Sequence, residues 1–304
     1  MHLQGFMWNI LHLMYVCYNR NKIGVIELMD KQYFIKTAED FVERSQDNYI
    51  PKEIAISENV IGMKIFEAPI LAFGSVDDEH FTLLKQPSAI GKHFMLPKEW
   101  LPQSKTVISF FLPFSEAVRK GNRRNMSWPT EEWLHGRIEG QSLLNKLCVH
   151  LKSELMNAGY NSVVPTLDGR FWSNANNLNH EEKFTSNWSE RHAAFICGLG
   201  TFGLSKGLIT SKGISGRFGS IITELYLSPD KREYENIYEY CSMCGKCVKN
   251  CPANAISIKN GKNHIICSEF LDKTMEKHKP RYGCGKCQID VPCESRIPKQ
   301  HNVK

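Results

Sequence analysis

Residues 241–256 read CSMCGKCVKNCPANAI, four cysteines separated by two, two and three residues and followed directly by a proline. A [4Fe-4S] cube needs four thiolates around it. A Cys-x2-Cys-x2-Cys loop wraps three of them onto one cube, while the cysteine before the proline points away to a second. The pattern therefore predicts partner ligands elsewhere, and Cys267, Cys284, Cys287 and Cys293 supply them in ICSEF and YGCGKCQIDVPCE. Eight ligands make two cubes, divided as Cys241, Cys244, Cys247 and Cys293 on one and Cys251, Cys267, Cys284 and Cys287 on the other. Structural zinc also uses Cys-x2-Cys knuckles, but it gathers two knuckles per tetrahedron and leaves the third cysteine and the Cys-Pro without a task.

Of the 11 cysteines in 304 residues, eight fall between Cys241 and Cys293. Crowding at one end of a long chain differs from the even spacing of a secreted disulfide scaffold and suggests thiolates kept reduced for metal. Cys17, Cys148 and Cys197 sit among apolar neighbours and read as small core residues. The composition, 42% hydrophobic and 23% charged, is that of a globular chain with one large core or two modest ones. A formal charge of +6 and a pI near 8.7 fall short of a dedicated nucleic-acid domain.

The opening MHLQGFMWNILHLMYVCYNR is interrupted by Asn9 and His12. It is too short to span a bilayer and lacks the basic start and small-residue cleavage site of a signal peptide. Residues 1–28 are read as an N-terminal extension, and a cytoplasmic protein without membrane contact is expected.

From residue 29 to 230, helical and strand patterns alternate, which predicts an α+β or α/β domain. Phe34, Ala38, Phe41 and Val42 recur at helical spacing in 31–46, and Val107 to Leu112 form a short apolar run suited to a buried strand. The stretch 130–160 is a long helix with Leu144, Leu147, Cys148, Leu151 and Leu155 on one face, ending at Gly159. NSVVPTL reads as a strand, NWSERHAAFIC as a helix with a capping box from Asn187 to Glu190, and Gly216 to Leu227 as a further strand. The polar segment Ser228 to Tyr240 marks a boundary, after which residues 231–304 form the cysteine domain.

GLGTFG, Gly198 to Gly203, fits G-x-G-x-x-G, but it follows a helix where a dinucleotide site requires a strand. It reads as a glycine-rich loop permitting positive φ or close backbone approach to a bulky ligand, with Gly198, Gly200 and Gly203 as cofactor-binding residues. Gly207, Gly213, Gly216 and Gly219 extend the same character. Lys273, Lys277, Lys279, Arg281 and Lys286 surround the second cysteine group, where they balance the negative charge of a thiolate-bound cube or dock an acidic electron donor such as a ferredoxin or flavodoxin. RKGNRR, Arg119 to Arg124, reads as a solvated loop.

The succession WLPQSKTVISFFLPF, SERHAAFICGLGTFGLSKGLIT, GRFGSIITEL and the cysteine block resembles the epoxyqueuosine reductase family and, more distantly, the reductive dehalogenases, over about residues 90–298. The resemblance implies a nitroreductase-like α+β domain holding a cobalamin near CGLGTFGLSKG, followed by a small bacterial-ferredoxin-like domain whose two [4Fe-4S] clusters feed it electrons. A corrinoid-dependent reductase is the implied function, acting on a small molecule or tRNA. The alternatives are an electron carrier or activator that reduces another protein's corrinoid, and a tRNA epoxyqueuosine reductase with a different proton donor. Laying Glu190 and Arg191 on the family's acidic segment puts Phe184 where the proton-donating Asp stands. Pro292 precedes Cys293 instead of following it, and the chain stops at Lys304 where many members continue into a region that helps hold tRNA.

Overall fold

The computed structural model describes residues 29–173 and 184–299, so the proposed extension at 1–28, with Cys17, lies outside the described residues. Four strands form an antiparallel sheet in the order β1 (Ile70–Ser75), β2 (Thr106–Pro113), β6 (Gly216–Thr223), β3 (Ser162–Val163). Every residue of β2 is buried. The reason is position: β2 lies between β1 and β6, with Phe111 opposite Phe218 and Ile108 opposite Ile221, and helices cover both faces. Its apolar run is thus continuous where a half-exposed strand would alternate.

One face is covered by α1 (Lys31–Arg44) and α3 (Glu131–Asn157), which set Phe34, Val42, Leu147, Cys148 and Leu151 against Phe73, Ile108 and Ile221. The Asp30 carboxylate starts α1 by accepting the Tyr33 N–H at 2.9 Å, filling one of the unpaired first-turn donors. The other face packs against α4 (Glu190–Cys197) and Trp188. The short α2 (Glu116–Arg123) follows β2, and Ser115 caps it.

Three local expectations change. NSVVPTL keeps only Ser162–Val163 in the sheet, because Pro165 has no N–H to donate and opens a 3₁₀ turn, Pro165–Leu167. The last strand stops at Thr223; beyond it the Leu225 and Leu227 N–H groups donate to the hydroxyls of Thr223 and Thr106. The capping box is absent. Ser189 is the N-cap residue of α4, while Asn187 spends its side chain on the Trp172 N–H and the Arg170 carbonyl. Glu190 instead turns its carboxylate into the interior, where both oxygens are buried without a partner in hydrogen-bond geometry.

Ser228 to Tyr240 is polar yet firmly tied down. Asp230 pairs with Lys31 at 2.5 Å and accepts the Phe73 N–H at 2.9 Å, and Phe202 N–H donates to the Ile237 carbonyl at 2.7 Å. The cysteine block follows, with the small hairpin β7 (Ile256–Ser257) and β8 (Gly261–Lys262) and the helix α5 (His264–His278). Among the described residues, no helix is long and apolar enough to cross a membrane.

Candidate functional site

The eight cysteines separate in space into two groups of four. Cys241, Cys244, Cys247 and Cys293 line one cavity together with Leu204, Ile209, Ile214 and Val291. Cys251, Cys267, Cys284 and Cys287 line a second, of about 300 Å3, which also touches the α+β part through Phe114, Trp133 and Gly216.

The crossing of Cys251 and Cys293 has a local cause. Gly245 and Gly285 each begin a tight turn at φ 69°, a conformation that a Cβ would strain. The sequence Cys-Gly-Lys-Cys thus occurs twice, at 244–247 and 284–287, with the same backbone. After the first copy, Asn250 donates to the carbonyls of Ile289 and Asp290 at 3.0 and 3.2 Å, clamping the two segments side by side. Cys251 is carried past the first cavity into the second, where its sulfur accepts the Ala255 N–H at 3.2 Å. Cys293 returns to the first, held through its carbonyl by the Ile214 N–H at 2.9 Å.

Burial raises the thiols of Cys247, Cys284, Cys287 and Cys293, and neighbouring cysteines raise them further. Cys293 is pushed up to about 12 by burial, then by Cys241 and Cys247; Cys284 reaches about 12 by burial, with Cys287 and Cys267 adding to it. Such thiols hold their protons until a metal displaces them. The donor set and its pairing fit two cubanes. They fit zinc less well, since tetrahedral zinc with bonds of about 2.3 Å draws its sulfurs to within about 4 Å of each other. Among the described residues, no three His, Cys, Asp or Glu side chains close on a single ion.

The cysteine block is bolted to the sheet by buried polar ties. Lys286 is fully buried and donates to the Asn122 carbonyl at 2.7 Å and to its side-chain oxygen. Asn122 in turn donates to the Cys284 carbonyl at 3.0 Å. Glu294, also buried, receives Arg119 at 3.3 Å and the Arg123 Nε at 3.1 Å, and Trp133 fills the space a side chain at Gly285 would need. RKGNRR is therefore not a solvated loop: residues 119–123 belong to α2, and Arg119, Asn122 and Arg123 form this junction while Lys120 faces solvent beside Glu116. The five basic residues near the second group also divide. Lys273, Lys277 and Lys279 are exposed, Arg281 pairs with Glu139 at 2.6 Å, and Lys286 is interior.

The glycine-rich segment is a hairpin. Gly198 ends α4 at φ 102°, and Gly200–Phe202 (β4) pairs with Leu208–Thr210 (β5). A Cβ on Gly200 would collide with the Ile209 carbonyl, and one on Gly203 would lie 3.3 Å from the Ile209 side chain. The chain's own backbone thus takes up the close approach at Gly200 that a flat cofactor was expected to use. Gly203 does border the first cysteine cavity. At Gly200 the missing side chain is thus accounted for by the hairpin itself.

Sequence reading missed Arg137 and Arg217, which line the second cavity with Arg191 and Lys262. A signal existed for Arg217, a lone cation opening an otherwise apolar strand; Arg137, one charge on a long helix, gave none.

Residues 234–257 match the family model described as 4Fe-4S binding domain. This segment binds a 4Fe-4S cluster. The tetrachloroethene reductive dehalogenases of Desulfitobacterium hafniense and Dehalobacter restrictus are each 44% identical to the chain over 65 residues, 21% of this chain and 12% of theirs. The matched stretch thus spans about an eighth of those relatives. Structural neighbours are reductive dehalogenases and epoxyqueuosine reductases. The catabolic reductive dehalogenase NpRdhA superposes at a TM-score of 0.48 with 15% identity, covering 75% of this chain and 30% of that one. The epoxyqueuosine reductase from Streptococcus thermophilus gives 0.45 and 18%, covering 77% and 65%.

Proposed function

We propose that the protein is an iron-sulfur oxidoreductase that carries two [4Fe-4S] clusters and passes electrons to an acceptor in the cavity between the second cluster and the α+β part. The observation that carries this reading is the wall shared by Cys251, Cys267, Cys284 and Cys287 with Phe114, Trp133 and Gly216. Clusters supply one-electron transfer at potentials set by burial and hydrogen bonding. The chain's own part is to hold them: Ala255 N–H bonds the Cys251 sulfur, while Lys286 and Asn122 fix the loop between Cys284 and Cys287. The electron donor is read as an acidic protein such as a ferredoxin or flavodoxin, met by exposed Lys273, Lys277 and Lys279. The α+β part is read as nitroreductase-like, residues 29–230 forming one domain and 231–304 the other.

The hairpin accounts for the glycine at Gly200, so the glycine spacing there does not by itself argue for a corrinoid at Gly198, Gly200 and Gly203. Anaerobic reconstitution, metal analysis and a visible titration with cobalamin test the proposal. About 8 iron and 8 sulfide per chain, bleaching on reduction and no cobalamin bound are expected; zinc in place of iron would end it.

A further inference from the structure

Most arginines of the protein meet a carboxylate. Arg119 and Arg123 meet Glu294, Arg124 meets Glu132, Arg232 meets Asp78 and Arg281 meets Glu139. Among the described residues Arg137, Arg191, Arg217 and Arg296 form no ion pair, and the first three open into the cavity beside the second cysteine group. Their bonds go to neutral groups. Arg217 Nε donates to Gln141 Oε1 at 2.9 Å, Arg137 to the Tyr282 hydroxyl at 2.9 Å, and Arg191 to the Lys206 carbonyl at 2.8 Å. Lys262 and Lys286 join the same wall, and among the described residues no Asp or Glu lines it.

We propose that Arg137, Arg191 and Arg217 form a binding site for a dianionic, phosphate-class group carried by the electron acceptor. The charge balance argues for it. A [4Fe-4S] cube held by four thiolates carries about −2 when oxidised, and a low-dielectric cavity does not tolerate a large uncompensated charge. Five cations line the cavity, the three arginines, Lys262 and Lys286, and they exceed that by about three, enough to hold the two charges of a phosphate monoester. Cluster compensation alone therefore leaves more than half of them unexplained. Guanidinium forks suit phosphate because each offers parallel N–H donors, and the donors not used on Gln141, Tyr282 and Lys206 remain for a ligand. The electrostatic strain is visible on two neighbours. Burial, then Arg137, pushes the Arg217 guanidinium down to about 9; burial, then Lys262, Lys206 and Arg191, pushes the His264 imidazole down to about 4. An anion held by the arginines would counter the positive charge that adds to burial at both.

This inference deepens the reading above by naming the acceptor's class, and its test is independent of electron transfer. The reconstituted, oxidised full chain is titrated calorimetrically with inorganic phosphate and, separately, with acetate. Phosphate should bind, acetate at least tenfold more weakly, and Arg217→Gln and Arg137→Gln should each weaken phosphate about tenfold, roughly the loss of one charge-assisted bond. Lys36→Gln, on the exposed face of α1, should leave binding unchanged. In case a variant loses its clusters or its fold, the wild-type protein is also treated with phenylglyoxal, and phosphate should protect Arg191 and Arg217 from modification. Equal binding of acetate, unaltered phosphate binding in both folded variants, or no protection would overturn the proposal, even in a protein that transfers electrons normally.

Discussion

Lys286 lies between two cysteines of the second group, yet its ammonium reaches back 2.7 Å to the main-chain oxygen of Asn122, in the first turn-and-helix unit after β2. Both residues are completely buried. Asn122 also supports the Cys284 carbonyl and receives the Thr130 N–H at 3.2 Å, so one side chain joins α2, the start of α3 and the cysteine loop. Asn122→Ala should strip Lys286 of one oxygen and orphan the Cys284 carbonyl. Breaking a buried charge's partner costs about 3 kcal/mol. Chemical denaturation should show a loss of that order together with reduced iron content; an unchanged midpoint and full iron would mean that the tie is dispensable.

Cys251 belongs by sequence to the first motif and by position to the second cavity. Cys251→Ala should therefore lower iron from about 8 to about 4 per chain while leaving the cluster on Cys241, Cys244, Cys247 and Cys293 intact. Iron analysis and electron paramagnetic resonance of the reduced variant check this. Retention of the second cluster alone would reverse the assignment.

The grouping of the eight cysteines into two sets of four was legible because turn chemistry is local: spacing alone dictates which sulfurs a loop can turn inward. Their pairing was legible too, since a cysteine before proline leaves the turn that its predecessors share. The buried strand Thr106–Pro113 and the helix Glu131–Asn157 could be read for a similar reason, as long runs whose pattern outweighs local exceptions. Tertiary partners could not. Gly200 looks the same whether its missing Cβ makes room for a ligand or for Ile209, and only the hairpin register decides. RKGNRR has the composition of a solvated loop, but Glu294, about 170 residues later, returns to neutralise it. Arg137, Arg191 and Arg217 come from three separate elements, so no window of sequence contains their cavity.

Glu190 shows what a capping residue becomes when it turns inward. Burial pushes its carboxyl up to about 7 from an ordinary value of 4.5, only partly offset by Ser220, Trp188 and Thr166. Between about pH 4.5 and pH 7 the unfolded chain has lost this proton while the folded chain still holds it, so stability falls as pH rises through that window and levels off above it. The shift corresponds to about 3 kcal/mol. His192, held neutral with its imidazole at about 4, acts in the opposite sense between about pH 4 and pH 6.5, so the informative quantity is a difference. Measured by urea denaturation, Glu190→Gln should gain on the wild type by about 3 kcal/mol between pH 5 and pH 8. A difference independent of pH would place the carboxylate in contact with water or a partner.

Conversion of epoxyqueuosine to queuosine is not expected. Opening and dehydrating an epoxide needs a proton delivered to the departing oxygen, and a positioned acid contributes roughly 10²- to 10⁴-fold. Phe184 stands where the resemblance to epoxyqueuosine reductases places that acid, with its ring stacked 5.8 Å from that of His264. The neighbouring candidates are spent elsewhere. The Glu190 carboxylate is sealed in the interior behind Trp188 and Ser220. His192 keeps Nδ1 2.7 Å from the Ser189 hydroxyl and its ring 5.0 Å from Phe202; with a pKa near 4, it carries no proton to give at neutral pH. Among the described residues no carboxyl group lines the second cavity, and its most acidic cations, Lys286 at about 8 and Arg217 at about 9, are held by Asn122 and Gln141. An assay with epoxyqueuosine-containing tRNA, reduced donor and added cobalamin should yield no queuosine above the level without protein. Robust formation would overturn this argument and direct attention to Glu190→Gln and His192→Ala, whose side chains would then have to reach the cavity through a rotation of α4.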